Sequence, residues 1–223
     1  MTGYIDIVSP DGHGFGCWHA GATSQPRGSV VVLQEIFGVN HHIRALCTRL
    51  AAAGYDAYAP ALFDRMERGF ASGYSQEEVA VALRFLPKLD WDAMVIDTLA
   101  TAARARESRL PVAAMGFCLG ASVAYMAAQR SPDISAVVGY YGGQIAEHLD
   151  TPPQCPTILH YGETDHTIPM DNVARIRARR PECEVHVYPA GHGFNCDERA
   201  AFEPASAALA WARSMQWLGA HLG

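Results

Sequence analysis

The sequence predicts an α/β fold, with a mostly parallel central sheet, an N-terminal antiparallel hairpin and helices on both faces. Three observations carry this expectation. Short β-branched runs such as "SVVVLQE" (Ser29 to Glu35) have the unbroken apolar character of strands buried on both faces. Such runs alternate with segments of helical periodicity, as in "HHIRALCTRLAAAGY", where Ile43, Leu46, Leu50 and Ala53 form one stripe closed by Gly54. The alternation runs through the chain without internal repeat or low-complexity linker, so the 223 residues read as one domain, 1–223.

The elements follow in order. "YIDIVS" and "GFGCWHA", joined by Pro10-Asp11-Gly12, read as a hairpin. "YDAYAP" completes the first βαβ unit, and the stretch from Leu62 to Tyr74 reads as loop. From Ser75 to Arg106 two helical stretches meet at Pro87-Lys88, the first opened by the capping-box pair Ser75 and Glu78. "PVAAMGF", "ISAVVGYYGG", "PTILHYGETD" and "CEVHVYPAGHG" read as strands with their following turns. The helices between them are "CLGASVAYMAAQR" and "PMDNVARIRARR", the latter opening with Pro169. A last helix presents Ala208, Trp211, Met215, Leu218 and Leu222 as its expected core stripe.

Composition narrows the function. With 49% hydrophobic and 18% charged residues the chain suits a globular domain with a substantial core. A formal net charge of -6, with no basic block beyond Arg179-Arg180, argues against nucleic acid or an anionic membrane and leaves a small molecule as the expected partner. The opening "MTGYIDIVSPDGHG" lacks a basic and an apolar signal region, so the expected location is cytoplasmic. The six cysteines form no C-x-x-C pair, and the adjacent His41 and His42 would point about 100° apart on a helix, so no metal and no disulfide framework is expected. A monomer is the expected state.

In sheets of this kind ligands sit beyond the carboxyl ends of the strands, which selects Glu35, Cys118, Asp165 and His192. "VAAMGFCLGAS" runs from strand to helix within one turn, and Gly116 and Gly120 remove side chains that would collide there. Cys118 thereby stands at a helix N-terminus, where unpaired N–H groups and the helix dipole favour a thiolate. Taken alone, the stretch fits either a reactive thiol or a small buried side chain. Asp165 alone fits a turn residue, and His192 alone fits a loop between glycines. Together they stand at successive strand ends in the order nucleophile, acid, histidine, which is the order of the α/β-hydrolases. The backbone N–H groups of Ile36 and Leu119 hold the positions expected of oxyanion donors.

"QEIFGVN", "GFCLGAS", "GETDHTIP" and "AGHGFNCDERAAF", in this order and at these intervals, resemble the dienelactone hydrolase family over nearly the whole chain. The resemblance implies an α/β-hydrolase fold, a triad of Cys118, Asp165 and His192 assisted by Glu35, and no metal or organic cofactor. It also implies opening of dienelactone, 4-carboxymethylenebut-2-en-4-olide, to maleylacetate on the degradation route of chlorinated catechols. Two positions depart from the pattern. The elbow continues Gly120-Ala121 where the family often has two glycines. Cys196 stands four residues after His192, where well-known members carry an arginine that holds the substrate carboxylate; Arg199 lies three residues further on and does not stand at that position. Arg84, on the helix after Ser75, is the candidate for the family's other carboxylate-binding arginine. Tyr141 and Trp91 stand near the same edge without an assigned role.

A cysteine suits an activated ester with a stabilised enolate leaving group, because the thioester it forms is itself easily hydrolysed. A carboxylate at Glu35 would disfavour a second negative charge on the sulfur and guard it against oxidation. Two other functions stay open: a broader carboxylesterase or thioesterase on the same scaffold, and a noncatalytic thiol-bearing binding protein.

Overall fold

The computed structural model describes residues 2–223. Its eight strands form one sheet in the order β1-β2-β4-β3-β5-β6-β7-β8. Strands β1 (Thr2–Val8) and β2 (Gly14–Ala20) form the antiparallel hairpin, and β2 pairs antiparallel with β4 (Tyr55–Pro60). From there β3 (Gly28–Leu33), β5 (Val112–Phe117), β6 (Ala136–Tyr140), β7 (Thr157–Gly162) and β8 (Glu184–Tyr188) run parallel. Strand β3 lies between β4 and β5, so the chain leaves to opposite sides of it. A crevice therefore opens beyond the ends of β3 and β5, where such sheets place ligands.

The period of two divides the apolar runs between two cores. Val30 and Val32 of β3 face one side, with Ile43, Leu46 and Leu50 of α1 (His41–Ala52), Val173 and Ile176 of α5 (Met170–Arg179), and Ala210 and Leu218 of α6 (Pro204–Leu222). Val31 and Leu33 face the other, with Val95 and Ala102 of α3 (Trp91–Arg106) and Val123 and Ala127 of α4 (Leu119–Arg130). Each fully buried aliphatic side chain contributes about 1.5–3 kcal/mol. Burial in α1 thus outweighs its surface pair of His41 with Glu198, since exposed ion pairs give about 0–1 kcal/mol.

Helix α2 (Gln76–Leu83) is opened by the capping box expected of Ser75 and Glu78, with both reciprocal hydrogen bonds present. A short 3-10 turn, Leu86–Lys88, interrupts the path to α3, and Pro87 lies within it. No helix among the described residues is long and apolar enough to cross a membrane.

Two expectations are corrected. Strand β3 ends at Leu33, and Gln34 and Glu35 leave the sheet. The Gln34 carbonyl accepts from the Gly120 amide at 3.0 Å, and its Oε1 accepts from the Leu62 amide at 3.1 Å, so the first turn of α4 and the loop after β4 are tied where the strand stops. In α6 Leu218 and Leu222 are buried and Trp211 and Met215 pack against the core as expected, but Ala208 is exposed, and Ala207, Ala210 and Ser214 are buried instead. Ser214 Oγ lies 2.6 Å from the Tyr140 hydroxyl and 3.1 Å from His160 Nε2, satisfying polar groups that burial would otherwise leave unpaired.

Candidate active site

At the turn from β5 to α4, Cys118 adopts φ 52° and ψ -115°, a left-handed conformation that costs a non-glycine residue about 1–3 kcal/mol. Its amide donates to the Tyr140 carbonyl at 2.9 Å. The two flanking glycines are steric requirements: a Cβ on Gly116 would stand 2.1 Å from the Gly120 carbonyl oxygen, and one on Gly120 would stand 2.3 Å from the Leu33 carbonyl oxygen. Ala121, the departure from the glycine pair, packs without exposure under the turn.

The thiol projects to the carboxyl edge of the sheet, where the loop after β8 brings His192. His192 Nε2 lies 3.2 Å from Cys118 Sγ, and Nδ1 lies 2.7 Å from Asp165 Oδ2, in the loop after β7. Thr167, which the sequence reading did not single out, completes the group. Its hydroxyl donates to Asp165 Oδ1 at 2.7 Å and lies 2.9 Å from His192 Nδ1; its amide also donates to Asp165 Oδ1. The signal was there as a threonine two residues after an aspartate, a spacing at which the backbone turns onto the carboxylate.

These contacts set the charges. Burial by itself would lower the pKa of His192; its hydrogen bonds to Asp165 and Cys118, with the charge on both, overcome that and push it up to about 10. Burial would raise the pKa of Asp165, and hydrogen bonds from His192 and Thr167 instead hold it below the usual carboxylate value. Tyr141 is fully buried with φ 43°, and its ring centroid lies 5.0 Å from that of His192. It backs the imidazole and does not line the cavity.

Glu35 is 1% exposed, and both of its oxygens are occupied. Arg199 Nη1 donates to Oε1 at 2.9 Å, and the Tyr74 hydroxyl donates to Oε2 at 3.0 Å. The expected bare carboxylate beside the sulfur is thus an ion pair. Arg199 reaches it past Gly193, where a Cβ would meet Nη1 at 2.4 Å, and lies over the rings of Phe37 and Tyr74. Burial would lower the guanidinium pKa; the charge of Glu35, with a smaller contribution from Cys118, raises it instead.

Arg84 caps the end of α2 with an exposed side chain whose Nε donates to its own helix at the Val81 carbonyl, 3.4 Å away, and it is not among the residues that line the cavity. The helix presents Val79 and Leu83 to the cavity.

Cys118 and His192 open into a cavity of about 400 Å³. Ile36 and Leu119 line it, and their amides have no hydrogen-bond acceptor among the described residues. Val79, Leu83, Leu86, Leu89 and Trp91 form its far wall. Behind the site, Glu35, His42 and Cys196 offer ligand atoms within 4.8 Å of one another, as do His42, Asp197 and Glu198. The first of these groups could hold a metal ion only by taking Glu35 from Arg199 and Tyr74.

The model of the dienelactone hydrolase family matches residues 15–222. The carboxymethylenebutenolidase of Pseudomonas putida is 32% identical over 228 residues, covering 98% of this chain and 96% of that protein. A solved structure from Klebsiella pneumoniae, described provisionally as a dienelactone hydrolase, superposes with a TM-score of 0.84 at 30% identity and covers 98% of both chains. The dienelactone hydrolase of Anabaena variabilis shares the fold at a TM-score of 0.72 and 15% identity, covering 100% of this chain and 99% of that one. The parallel sheet with its antiparallel hairpin is therefore the α/β-hydrolase fold, and the chain belongs to the dienelactone hydrolase family, whose members are hydrolases acting on ester bonds.

Proposed function

We propose that the chain hydrolyses esters or lactones through Cys118 as nucleophile, by way of a thioester. The observation that carries this reading is the line Cys118 Sγ, His192, Asp165, at 3.2 and 2.7 Å, set beside two unpaired amides in one cavity. The Cys118 thiol passes its proton to His192 and the sulfur attacks the substrate carbonyl carbon, while the developing oxyanion takes hydrogen bonds from Ile36 and Leu119 N–H. The C–O bond breaks, and His192 gives its proton to the leaving oxygen. Water then attacks the thioester as His192 accepts its proton, the C–S bond breaks, and acid and thiol are released. Asp165 and Thr167 hold the imidazole in the orientation that both transfers need.

A lactone of the dienelactone type fits this chemistry, since its enolate leaves readily. Its carboxylate would have to share Arg199 with Glu35, because that guanidinium is the one that lines the cavity among the described residues.

Stoichiometric iodoacetamide with peptide mapping tests the nucleophile. Cys118 is half-buried beside a histidine, while burial pushes the thiols of Cys155, Cys183 and Cys196 up to about 11, 12 and 12 and those of Cys17 and Cys47 further still. Cys118 is labelled first, and turnover disappears with it. Another cysteine labelled at full loss of activity overturns the reading. Cys118→Ala lowers kcat by at least ~10³-fold and His192→Ala by at least ~10²-fold.

A further inference from the structure

Behind the cavity, three segments far apart in sequence bring a carboxylate, an imidazole and a thiol to one buried point. Glu35 comes from the loop after β3, His42 from the first turn of α1 and Cys196 from the loop after β8. One ligand atom of each lies within 4.8 Å of the other two, and all three residues are buried. Tetrahedral zinc sites, with bonds of about 2.0–2.3 Å, hold such donors about 3.5 Å apart, so a closure of about 1 Å completes the set. Thiol, imidazole and carboxylate together suit zinc, whereas magnesium and calcium take oxygen.

Packing alone does not account for His42. Its side chain is 3% exposed, yet Nε2 has no hydrogen-bond partner among the described residues, and Nδ1 stands 3.7 Å from Asp197 Oδ1, beyond hydrogen-bond length. Buried polar atoms are rarely left so. Burial also holds the His42 pKa below its ordinary value, so the ring is neutral and keeps a lone pair for an ion. The same imidazole belongs to an outer set with the exposed Asp197 and Glu198, which offers an ion a route from the surface.

We propose that Glu35, His42 and Cys196 form a binding site for a zinc-like divalent ion, and that filling it raises the reactivity of Cys118. On binding, Cys196 releases its proton to solvent, and Glu35 exchanges Arg199 and Tyr74 for the ion. The two charges of the ion cancel those of Glu35 and the Cys196 thiolate. Arg199 is then an uncompensated positive charge at the cavity, where it favours the thiolate of Cys118.

Cobalt(II) is the probe, because a bound thiolate gives it a strong near-ultraviolet absorption that oxygen and nitrogen ligands do not. In Cys118→Ala, which removes the thiol of the active site, one equivalent of Co2+ is expected to produce this band. Adding Cys196→Ser should abolish it, and adding His42→Gln instead should weaken Co2+ binding at least about tenfold. A band that survives Cys196→Ser, or none at all in Cys118→Ala, overturns the site. The second measurement needs no variant. Zn2+ added to the unmodified protein is expected to speed iodoacetamide alkylation of Cys118 several-fold, whereas an ion held by Cys118 and His192 would protect the sulfur. Slowed or unchanged alkylation overturns the proposal.

Discussion

Arg199 Nη1 donates to Glu35 Oε1 at 2.9 Å, and the pair lies between Tyr74 and the cavity into which Cys118 opens. The two charges act on the sulfur with opposite sign, so removing either one unmasks the other. Glu35→Gln leaves a guanidinium that favours the thiolate, and iodoacetamide alkylation near pH 7 is expected to speed up several-fold. Arg199→Gln leaves a carboxylate that disfavours it, and alkylation is expected to slow. Second-order alkylation rates of Cys118 in the three proteins decide the matter; shifts of the same sign in both variants would refute the opposition.

Thr167 touches both Asp165 and His192 but not the sulfur, which makes it a positioning residue. Thr167→Val keeps the shape and removes the hydroxyl, so the imidazole loses one of its two restraints. A fall in kcat of about tenfold with little change in KM is expected, less than the ~10²-fold or more that loss of a general acid-base residue itself would cost. Thr167→Ser should restore most of it. If Val and Ser behave alike, the hydroxyl has no part in holding the histidine.

His192 gives stability a definite pH dependence. Its pKa rises from 6.5 to about 10 on folding, so the protonated ring contributes stability that is fully present below about pH 6.5 and is lost as pH rises through about 10. Asp165→Asn removes the partner chiefly responsible. The difference in denaturant midpoint between wild type and Asp165→Asn is expected to be largest near pH 6 and to shrink steadily toward pH 10. A difference constant over that range would show that the two residues are not linked through the proton on His192.

Much of this molecule follows from local rules that act within a few residues. The β-branched run at Val30 to Leu33 is a strand because its side chains pack well on a pleated surface. Ser75 starts α2 because its hydroxyl and Glu78 satisfy each other's backbone N–H groups, and Gly116 and Gly120 mark the elbow because no Cβ fits there. Strand ends in a parallel sheet fall on one edge whatever the loops do, so Cys118, Asp165 and His192 could be chosen before any distance was known.

Long-range packing decided the rest. Nothing in "NCDERA" says that Arg199 passes the bare Cα of Gly193 to reach Glu35, 164 positions earlier in the chain. Helical periodicity placed Arg84 on α2 but not which face the helix would turn to the cavity, and that choice fell to Val79 and Leu83. On α6 Ser214 is buried where its hydroxyl meets that of Tyr140 at 2.6 Å, a contact with a strand distant in sequence that helical periodicity could not name. Hydrophobic pattern records which side chains avoid water. Which of them meet one another, and therefore which charge faces the thiol, depends on shapes that come together only when the chain is folded.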